Sequence, residues 1–270
     1  MMGKAYIFYN PNAGDGKILE DLDALEFVLD DPCTACDMSR PETYCEALFA
    51  MEAEDYLVLC GGDGTLNRFV NLTGDLQRTN EIYYYPSGNG NAFALTHGYR
   101  YGCNPFAVTD SLRRLPTVAF KRKSERFVTG ILFDATTKNR RLFKRGKAYT
   151  DNKTVTISTD GVKRQFQKVQ FLAVMYGKYC GGGFAPDPGR RRGEESLSLV
   201  VISGCGRQKA KGLLKQLRRG SAPHSACYTC IRANDLQITF DSMTCLQIDG
   251  ETHSDVAAFT VKTHRKETQR

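Results

Sequence analysis

The sequence lacks any apolar run close to the ~20 residues that a membrane-spanning helix requires. Its first ten residues, MMGKAYIFYN, lack the long apolar core of a signal peptide and instead indicate a first strand. These two absences predict a cytoplasmic protein. Internal repeats and low-complexity segments are also missing. No recognition-helix, RRM or zinc-finger pattern accompanies the positive charge of the chain, so we expect no nucleic-acid partner.

The chain offers few candidates for a metal site built from protein ligands alone. None of its four histidines forms an i, i+3 or i+4 pair with another, which favours solvated or core positions. Cys33/Cys36 and Cys227/Cys230 have zinc-like spacing, but about 190 residues separate the two pairs and neither has turn glycines or a nearby third ligand. We therefore expect the ten cysteines to be mostly free thiols.

The chain has 270 residues, of which 41% are hydrophobic and 25% charged, a composition typical of a soluble globular protein. Strand and helix patterns alternate at first, whereas short β-branched and aromatic runs dominate after about residue 116. We predict an α/β domain over residues 1–116, Rossmann-like, with a mostly parallel sheet and flanking helices. A β-rich, β-sandwich-like domain would follow over 117–258, and residues 259–270 would form a tail that could pack back on the first domain.

Local patterns assign further elements. PETYCEALFAMEAE (41–54) predicts a helix whose inward face carries Cys45, Leu48, Phe49 and Met51. STDGVK, between two alternating strands, predicts a β-hairpin. GRQKAKGLLKQLRRG (206–220) predicts one helix within the β-rich half.

Basic residues are concentrated in a few segments, and the net charge is +7. The clusters lie at 121–123, 138–147, 190–192 and 207–219. Each one alone is compatible with a solvated face. Together they indicate attraction to an anionic partner, such as phosphate groups or an acidic membrane surface.

The segment LCGGDGTLNRFVN (59–71) ends a buried strand with three glycines around Asp63. Glycines that lead from a strand into a helix leave backbone N–H groups directed at one point, and the helix dipole favours an anion there. Asp63 would repel a bare phosphate, so its presence predicts a magnesium ion that bridges carboxylate and phosphate. The alternative is a glycine-rich turn in which Asp63 is only a helix N-cap.

Two further glycine loops also follow predicted strands, YNPNAGDGK (9–17) and YPSGNGNAFA (85–94). The first is not a Walker A loop, because Pro11 replaces the first glycine and Ile18 follows Lys17. A G-x-G-x-x-G fingerprint is absent as well. Three such loops at the carboxyl ends of parallel strands would line one edge of the sheet, where open α/β sheets bind ligands.

These motifs carry a family resemblance. N-P-N-A-G, G-G-D-G-T-L-N, P-x-G-x-G-N-x-F-A, G-G-G-x-A-P and Q-I-D-G-E, in this order, resemble the diacylglycerol kinase catalytic-domain family, which includes bacterial lipid kinases and sphingosine kinases. The order and approximate spacing match over nearly the whole chain. G-G-D-G-T alone is shared with NAD kinases, but YGKYCGGGFAP and LQIDGE favour the lipid-kinase branch.

The resemblance implies that ATP and Mg²⁺ bind between the two domains, with Asp63 as metal ligand and catalytic residue. The residues that it places around the nucleotide are Asn10, Pro11, Asn12, Gly14, Gly61, Gly62, Asp63, Gly64, Thr65, Asn67, Gly88, Asn89, Gly90 and Asn91. It further implies that Asp249 and Glu251 supply the base that takes a proton from a lipid hydroxyl. On its own, Asp249-Gly250 is also a common hairpin dipeptide.

The sequence departs from the family pattern at several acids. Ala92 stands where relatives have an aspartate of the magnesium–water network, and LPTVAF lacks another acid. Many relatives also hold a second, structural magnesium ion through an Asp-Gly after G-G-G-x-A-P. Here PDPGRRRGEESLSL offers Arg190 to Arg192, then Glu194 and Glu195, so basic residues could replace that metal. These losses are compatible with a slow kinase, altered metal needs or a nucleotide-binding remnant.

The resulting hypothesis is an ATP-dependent lipid kinase of the cytoplasm, peripherally associated with anionic membranes. It would transfer the γ-phosphate of Mg-ATP to a hydroxyl of diacylglycerol or a similar membrane lipid. Two alternatives stay open. One is NAD kinase-like activity on a soluble dinucleotide, and the other is a non-enzymatic nucleotide-binding or membrane-associated protein.

Overall fold

The chain divides into two compact units, Met1–Arg113 and Arg114–Arg270. The computed structural model describes residues 3–73, 79–135, 153–191 and 193–263. The predicted basic cluster at 138–147, and the predicted tail beyond residue 263, lie outside the described residues. Within them, no helix combines the length and the apolar character needed to cross a bilayer.

The N-terminal unit contains a five-stranded sheet, which confirms the predicted α/β class. Its strand order is β2-β1-β3-β4-β5, and only the last strand is antiparallel to its neighbour. The central strands are continuous apolar runs because helices cover a parallel sheet on both faces. The strands are β1 (Ala5–Tyr9), β2 (Cys33–Asp37), β3 (Tyr56–Gly61), β4 (Ile82–Pro86) and β5 (Phe106–Ala107).

Within the described residues, four α-helices connect these strands and a fifth follows β5. They are α1 (Ile18–Leu29), α2 (Pro41–Ala50), α3 (Asp63–Leu72), α4 (Ala92–His97) and α5 (Thr109–Arg113). Ile18 and Leu25 of α1 are buried in one cluster with Ile7 and Val58 of the sheet. Helix α4 ends at Gly98, whose φ of 87° is the left-handed conformation that commonly closes a helix.

The predicted inward face of α2 is wrong in part. Leu48 is buried, but Cys45 is exposed and Phe49 is 78% exposed. Tyr44, four residues before Leu48, is the second buried side chain, and its ring lies 6.4 Å from that of Phe8 in β1. Residues at i and i+4 share one helix face, so the Tyr44–Leu48 pair defines the side that meets the sheet and turns Phe49 to solvent.

The C-terminal unit is β-rich, as predicted. Within the described residues its strands form one antiparallel sheet with the order β13-β12-β11-β8-β14-β15-β6-β7, to which β9 is joined through β14 and β10 through β9. The strands are β6 (Thr117–Phe120), β7 (Lys123–Arg126), β8 (Gly130–Asp134), β9 (Lys153–Thr159), β10 (Val162–Val169), β11 (Phe171–Met175), β12 (Leu197–Ile202), β13 (Tyr228–Ala233), β14 (Asp235–Ile248) and β15 (Glu251–Lys262).

Strand β14 organises this unit. It pairs with β9 through residues 236–240 and with β8 through residues 247–248, and it pairs with β15 on its other side. Register shifts between Thr239 and Leu246 interrupt the ladder with β15, and such irregularities bend a strand. Side chains from β6, β8, β9, β11, β12, β14 and β15 consequently share one core.

The turn and the helix predicted for this half are both confirmed. Asp160 and Gly161, with φ of 48° and 80°, form the tight turn between β9 and β10. Helix α6 (Arg207–Arg218) packs Ala210, Leu213, Leu214 and Leu217 against side chains of β11 and β12. Residues 259–262, the start of the predicted tail, form the end of β15. They pair with β14, and residues 260–262 also pair with β6, and their side chains alternate between buried and more exposed.

Candidate functional site

Three glycine loops meet at one edge of the N-terminal sheet. Loop 1 (residues 10–17), loop 2 (61–65) and loop 3 (87–91) follow β1, β3 and β4, which are adjacent parallel strands. The N–H of Asn10 donates to the carbonyl of Cys60 at 3.3 Å, and the N–H of Ser87 donates to the carbonyl of Gly61 at 3.0 Å. The structure therefore brings the three loops together at the carboxyl ends of their strands, as predicted.

Close contact between the loop backbones explains two of the glycines. Gly14 has a φ of +60°, and a Cβ atom there would lie 2.3 Å from the carbonyl oxygen of Ser87. A Cβ atom at Gly88 would lie 2.4 Å from the Cα atom of Gly62. Real Cβ atoms do not approach other atoms so closely. Loop 3 can therefore contact loops 1 and 2 only if these positions carry no side chain.

Gly64 has no such reason to be glycine. A Cβ atom there would meet nothing within 4 Å, and the residue is exposed in the first turn of α3. By contrast, a Cβ atom at Gly61 would lie 2.3 Å from Oγ1 of the buried Thr65. Alanine is the better helix former by about 1 kcal/mol, so a glycine at position 64 calls for a cause other than packing. Close approach of a ligand to the backbone is such a cause.

Asp63 links loop 2 to loop 3. Its Oδ2 accepts the N–H of Ala92, and its Oδ1 accepts the N–H of Phe93, both at 2.8 Å. These groups are the first N–H donors of α4, so the carboxylate caps that helix at the positive end of its dipole. The N-cap residue of α3, the helix that Asp63 itself begins, is Gly62, which carries no side chain. The capping alternative thus applies to α4 and not to the helix that follows the loop.

This arrangement leaves room for a metal ligand role. Each carboxylate oxygen has further acceptor capacity after one N–H bond. Among the described residues, no group of three or more His, Cys, Asp or Glu side chains could hold a metal. A magnesium ion is commonly held by one or two carboxylates together with substrate phosphates and water, and a single Asp63 fits that pattern. The metal assignment of Asp63 therefore stays a prediction.

The predicted asparagines mostly organise the loops. Asn91, with a φ of 45° and 5% exposure, accepts the N–H of Gly88 through Oδ1 at 3.0 Å and donates through Nδ2 to the carbonyl of Gly88. Asn89 is exposed, and its Nδ2 lies 3.4 Å from Oδ2 of Asp15 in loop 1. Asn10 accepts the N–H of Asn12 at 3.0 Å.

The other predicted nucleotide residues lie in the same three segments. Asn67 follows Thr65 along α3 and accepts a hydrogen bond from the side chain of Asn71 at 3.0 Å through its carbonyl. Pro11 and Gly90 are half-buried members of loops 1 and 3. All fourteen residues that the resemblance placed around the nucleotide therefore belong to the three loops or to the first turns of α3.

Sequence reasoning missed two buried residues at these loops, Tyr84 in β4 and Ser87 in loop 3. The fully buried Tyr84 donates its hydroxyl to the carbonyl of Gly61 at 2.9 Å, and burial raises its pKa well above the ordinary value, which keeps that donor protonated. The fully buried Ser87 has no hydrogen-bond partner for Oγ among the described residues. Unpartnered buried hydroxyls are uncommon, which singles out Ser87 in loop 3. Only its position before the Gly-Asn-Gly run could have suggested it.

In the C-terminal unit, Asp249 and Gly250 form the hairpin turn between β14 and β15. Ile248 pairs with Glu251 across the turn, and the two central residues have φ of 47° and 91°. Two positive φ angles define the two-residue turn that joins antiparallel strands most favourably. The hairpin alternative from the sequence is therefore observed, and it does not exclude a chemical role for the carboxylates.

The carboxylate of Asp249 holds a distant segment. It accepts the N–H groups of Val128 at 2.6 Å, Thr129 at 2.8 Å and Gly130 at 3.1 Å, and also the Thr129 hydroxyl at 2.7 Å. The N–H of Asp249 donates back to the carbonyl of Gly130 at 3.1 Å. Three of these four donors meet at Oδ1, and the fourth, the N–H of Val128, meets Oδ2. Glu251 beside it is exposed.

A carboxylate–imidazole pair lies near this turn. Oε1 of Glu125 in β7 lies 3.6 Å from Nε2 of His253, which follows Glu251 by two residues. Burial raises the pKa of Glu125, and the negative charges of Glu251 and Asp249 add to this rise, while His253 opposes it. These carboxylates therefore share one electrostatic environment. Neither Glu125 nor His253 belonged to a sequence motif.

The comparisons with known proteins agree with the sequence motifs. Residues 4–120 match the family model described as Diacylglycerol kinase catalytic domain. The resemblance inferred from the glycine loops is thereby confirmed for the segment that contains them. No curated protein matches the chain.

The fold is similar to that of solved structures at low sequence identity. One is a candidate diacylglycerol kinase from Bacillus anthracis str. Sterne, with a TM-score of 0.72, 17% identity and coverage of 97% of this chain and 94% of that chain. Another is a diacylglycerol kinase from the same organism, with a TM-score of 0.68, 15% identity and the same coverage. The likeness extends over both units and concerns the fold.

The cap formed by Asp63 predicts a loss of stability on substitution. Asp63→Ala leaves the N–H groups of Ala92 and Phe93 without their acceptor, and we expect the free energy of unfolding to fall by about 1–2 kcal/mol. Urea denaturation without nucleotide measures this change. Asp23→Ala removes an exposed carboxylate from α1 and is the control. Equal stability of the two variants would contradict the capping role.

The raised pKa of Glu125 predicts a pH dependence of stability. Because its carboxylate ionises less readily in the folded chain than in the unfolded chain, stability is lost as pH rises from the ordinary value of 4.5 through the raised pKa. Glu125→Gln mimics the protonated form. Relative to the wild type, this variant should therefore become more stable between pH 4 and pH 7 in urea denaturation. A difference that is constant over this range, or that falls, would refute the prediction. Glu54→Gln, an exposed carboxylate, controls for the loss of one charge.

Proposed function

We propose that this chain is an ATP-dependent lipid kinase. The premise of this proposal is the family match of residues 4–120. The chain transfers the γ-phosphate of Mg-ATP to a hydroxyl of diacylglycerol or a similar membrane lipid. The observation that carries this proposal is the convergence of the three glycine loops around the exposed backbone of Gly64 and the carboxylate of Asp63. We further propose that the protein works in the cytoplasm and associates peripherally with membranes.

The N-terminal unit supplies the nucleotide site in this proposal. The first turn of α3 has no side-chain cap, and Gly64 leaves open space beside its backbone. Uncapped N–H groups at a helix start favour phosphate oxygens. When bound, Mg²⁺ would neutralise phosphate charge. Asp63 would be its ligand, held in place by the two N–H groups of α4.

The C-terminal unit supplies the acceptor side. A carboxylate that takes the proton of the lipid hydroxyl must come within hydrogen-bond reach of that hydroxyl. The turn between β14 and β15 places Asp249 and Glu251 two residues apart, and Glu251 is exposed. We assign the base to this pair, with Asp249 fixed by Val128, Thr129 and Gly130.

Calorimetry of ATP binding to paired glycine variants tests the nucleotide site. Gly64→Ala should weaken ATP binding at least about tenfold in calorimetry, because a methyl group would stand where phosphate approaches, and should leave thermal stability equal or higher. Gly206→Ala is the matched control, since Gly206 precedes α6 and its added Cβ would also meet nothing within 4 Å. Unchanged ATP affinity in Gly64→Ala would count against the site.

Transfer of radiolabelled phosphate from ATP to lipids in mixed micelles tests the reaction. The wild type should label diacylglycerol or a related lipid. Glu251→Gln should lower turnover by about 100-fold or more with stability changed by less than about 0.5 kcal/mol. Asp249→Asn should lower both turnover and stability, because it disturbs the bonds to residues 128–130. The proposal fails if the wild type labels no lipid, or if both variants keep full activity.

One second candidate has an observation in its favour. Position 92 is an alanine, which has no carboxylate to offer to a metal–water network. Its side chain is fully buried, and its N–H donates to the carboxylate of Asp63. A nucleotide-binding protein without transfer activity would bind ATP in calorimetry and label no lipid. NAD kinase-like activity would instead show turnover with a soluble dinucleotide and no lipid interface.

The solvent-exposed face of α6 supports the proposed association with an anionic membrane. Residues 203–224 contain no acid, and six cations lie along and just beyond the helix. These are Arg207, Lys209, Lys211, Lys215, Arg218 and Arg219. Leucines anchor the opposite side of α6 to the sheet, so this basic face is held outward. A polybasic face of this kind attracts anionic lipid headgroups.

Charge reversal on α6 tests the membrane association. Lys211→Glu/Lys215→Glu should reduce binding to vesicles of phosphatidylcholine and phosphatidylserine by about tenfold or more in sedimentation. Lys163→Glu/Arg164→Glu makes the same change of net charge on the exposed β10 strand and should bind more tightly than the α6 variant. An equal loss of vesicle binding in both variants would mean that only the net charge of the protein matters. Unchanged binding of the α6 variant would show that the basic face of α6 does not bind the membrane.

A further inference from the structure

A buried ionic cluster holds the segment between β11 and β12 of the C-terminal unit. Asp187 is 5% exposed, Arg190 is 2% exposed and Ser198 is fully buried. Arginine is rarely buried unless it is paired, so the side chain of Arg190 requires specific partners. The cluster is completed by Glu194 from the same segment and Arg232 from β13.

Ser198 is the centre of the cluster. Its Oγ donates to Oδ2 of Asp187 at 2.8 Å and accepts Nη1 of Arg190 at 2.8 Å. Nη2 of Arg190 donates to the carbonyl of Glu194, also at 2.8 Å. The Arg190 guanidinium thus fills the interior of the segment and is hydrogen-bonded on two of its nitrogens.

Arg232 brings a second guanidinium from the neighbouring strand. Its Nη1 forms an ion pair with Oδ2 of Asp187 and lies 2.9 Å from Oγ of Ser198. Its Nε lies 3.2 Å from Oε2 of Glu194. The N–H of Arg191 donates to the other oxygen of Glu194 at 3.2 Å. Two cations and two carboxylates are therefore matched within one cluster.

This donor set does not fit the second, structural magnesium ion that the family resemblance implies for the segment. Magnesium takes oxygen ligands only, usually carboxylates, carbonyls and water. Here the contacts of Asp187 Oδ2, Glu194 Oε2 and Ser198 Oγ already include guanidinium nitrogens. A third cation among these groups would face the repulsion of Arg190 and Arg232 at short range.

We propose that Arg190 and Arg232 take the place of that divalent cation, so that folding of the C-terminal unit requires no metal. A guanidinium group is permanently charged and offers several donors in a fixed plane, which allows it to bridge a carboxylate, a hydroxyl and a carbonyl. The proposal concerns stability and is independent of the proposed kinase activity.

Thermal unfolding of the full chain without nucleotide tests the proposal. The melting temperature in EDTA should lie within about 1 °C of that in millimolar Mg²⁺ or Mn²⁺, because no folded-state site in this segment binds the ion. A rise with either ion in the wild type that disappears in Asp187→Asn would overturn the proposal. A rise that persists in Asp187→Asn arises at another position and supports it.

A comparison of variants at Arg190 and at its neighbour Arg191 tests whether stability depends on the buried guanidinium group. Arg190→Met should lower the melting temperature by about 6 °C or more, because it removes the buried cation of the cluster and its hydrogen bonds to Ser198 and to the carbonyl of Glu194. Arg191→Met, at the exposed neighbouring position, should change it by no more than about 2 °C. Equal melting temperatures for the two variants would overturn the proposal.

Removal of both guanidinium groups gives the most specific readout. In Arg190→Met/Arg232→Met the freed carboxylates should respond to Mn²⁺ with a rise in melting temperature that the wild type lacks. An absent response would refute the idea that the arginines substitute for a metal. If these variants do not fold, the comparison of the wild type in EDTA and in Mg²⁺ decides the matter.

Discussion

Contact between the backbones of neighbouring loops is the constraint on which the candidate nucleotide site depends. Loop 3 lies so close to loops 1 and 2 that no side chain fits at Gly14 or Gly88. The carboxylate of Asp63 fixes the same contact by hydrogen bonds to Ala92 and Phe93. Since these bonds orient the start of α4 relative to α3, the open space beside Gly64 is defined before any ligand arrives.

The same physical device recurs in the C-terminal unit. Asp249 uses one carboxylate to hold three consecutive N–H groups, at residues 128–130, as Asp63 holds two. Hydrogen bonds to a charged acceptor are stronger than those between neutral groups, so both acids stabilise the fold at the positions where the motifs suggested chemistry. A loss of activity in a variant of either acid therefore has two possible causes. The exposed Glu251 has no such double role, and its variant separates chemistry from folding.

Much of the fold could be predicted because it depends on local patterns. Continuous apolar runs predicted the strands β1, β3 and β4, and the Asp160-Gly161 pair predicted the hairpin of β9 and β10. Strand β2, with the sequence CTACD, was missed because an edge strand need not be apolar on both faces. In α2 the apolar Phe49 was misleading, because contact with the sheet and not hydrophobicity alone decides which helix face is buried.

The site could be predicted only in outline, for a different reason. Its residue types and order are visible in the motifs, but the bonds of Asp63 to α4 and of Asp249 to residues 128–130 span 29 or more positions along the chain. Periodicity contains no information on such distant partners. Glu125 and His253 likewise become neighbours only through the pairing of β6 with β7 and with β15.

Two departures from the family pattern have a common physical consequence. At position 92 an alanine is buried and Asp63 is held by backbone N–H groups of α4, while in the segment after residue 186 the carboxylates of Asp187 and Glu194 form ion pairs with guanidinium groups. In both places negative charge is balanced by groups of the chain itself, whose positions are fixed on folding. Buried charges need such partners, and nitrogen donors serve as well as a cation when the geometry is favourable. Within the part of the chain that the structure describes, the two proposals together therefore leave one use for a divalent cation, as the partner of the nucleotide phosphates.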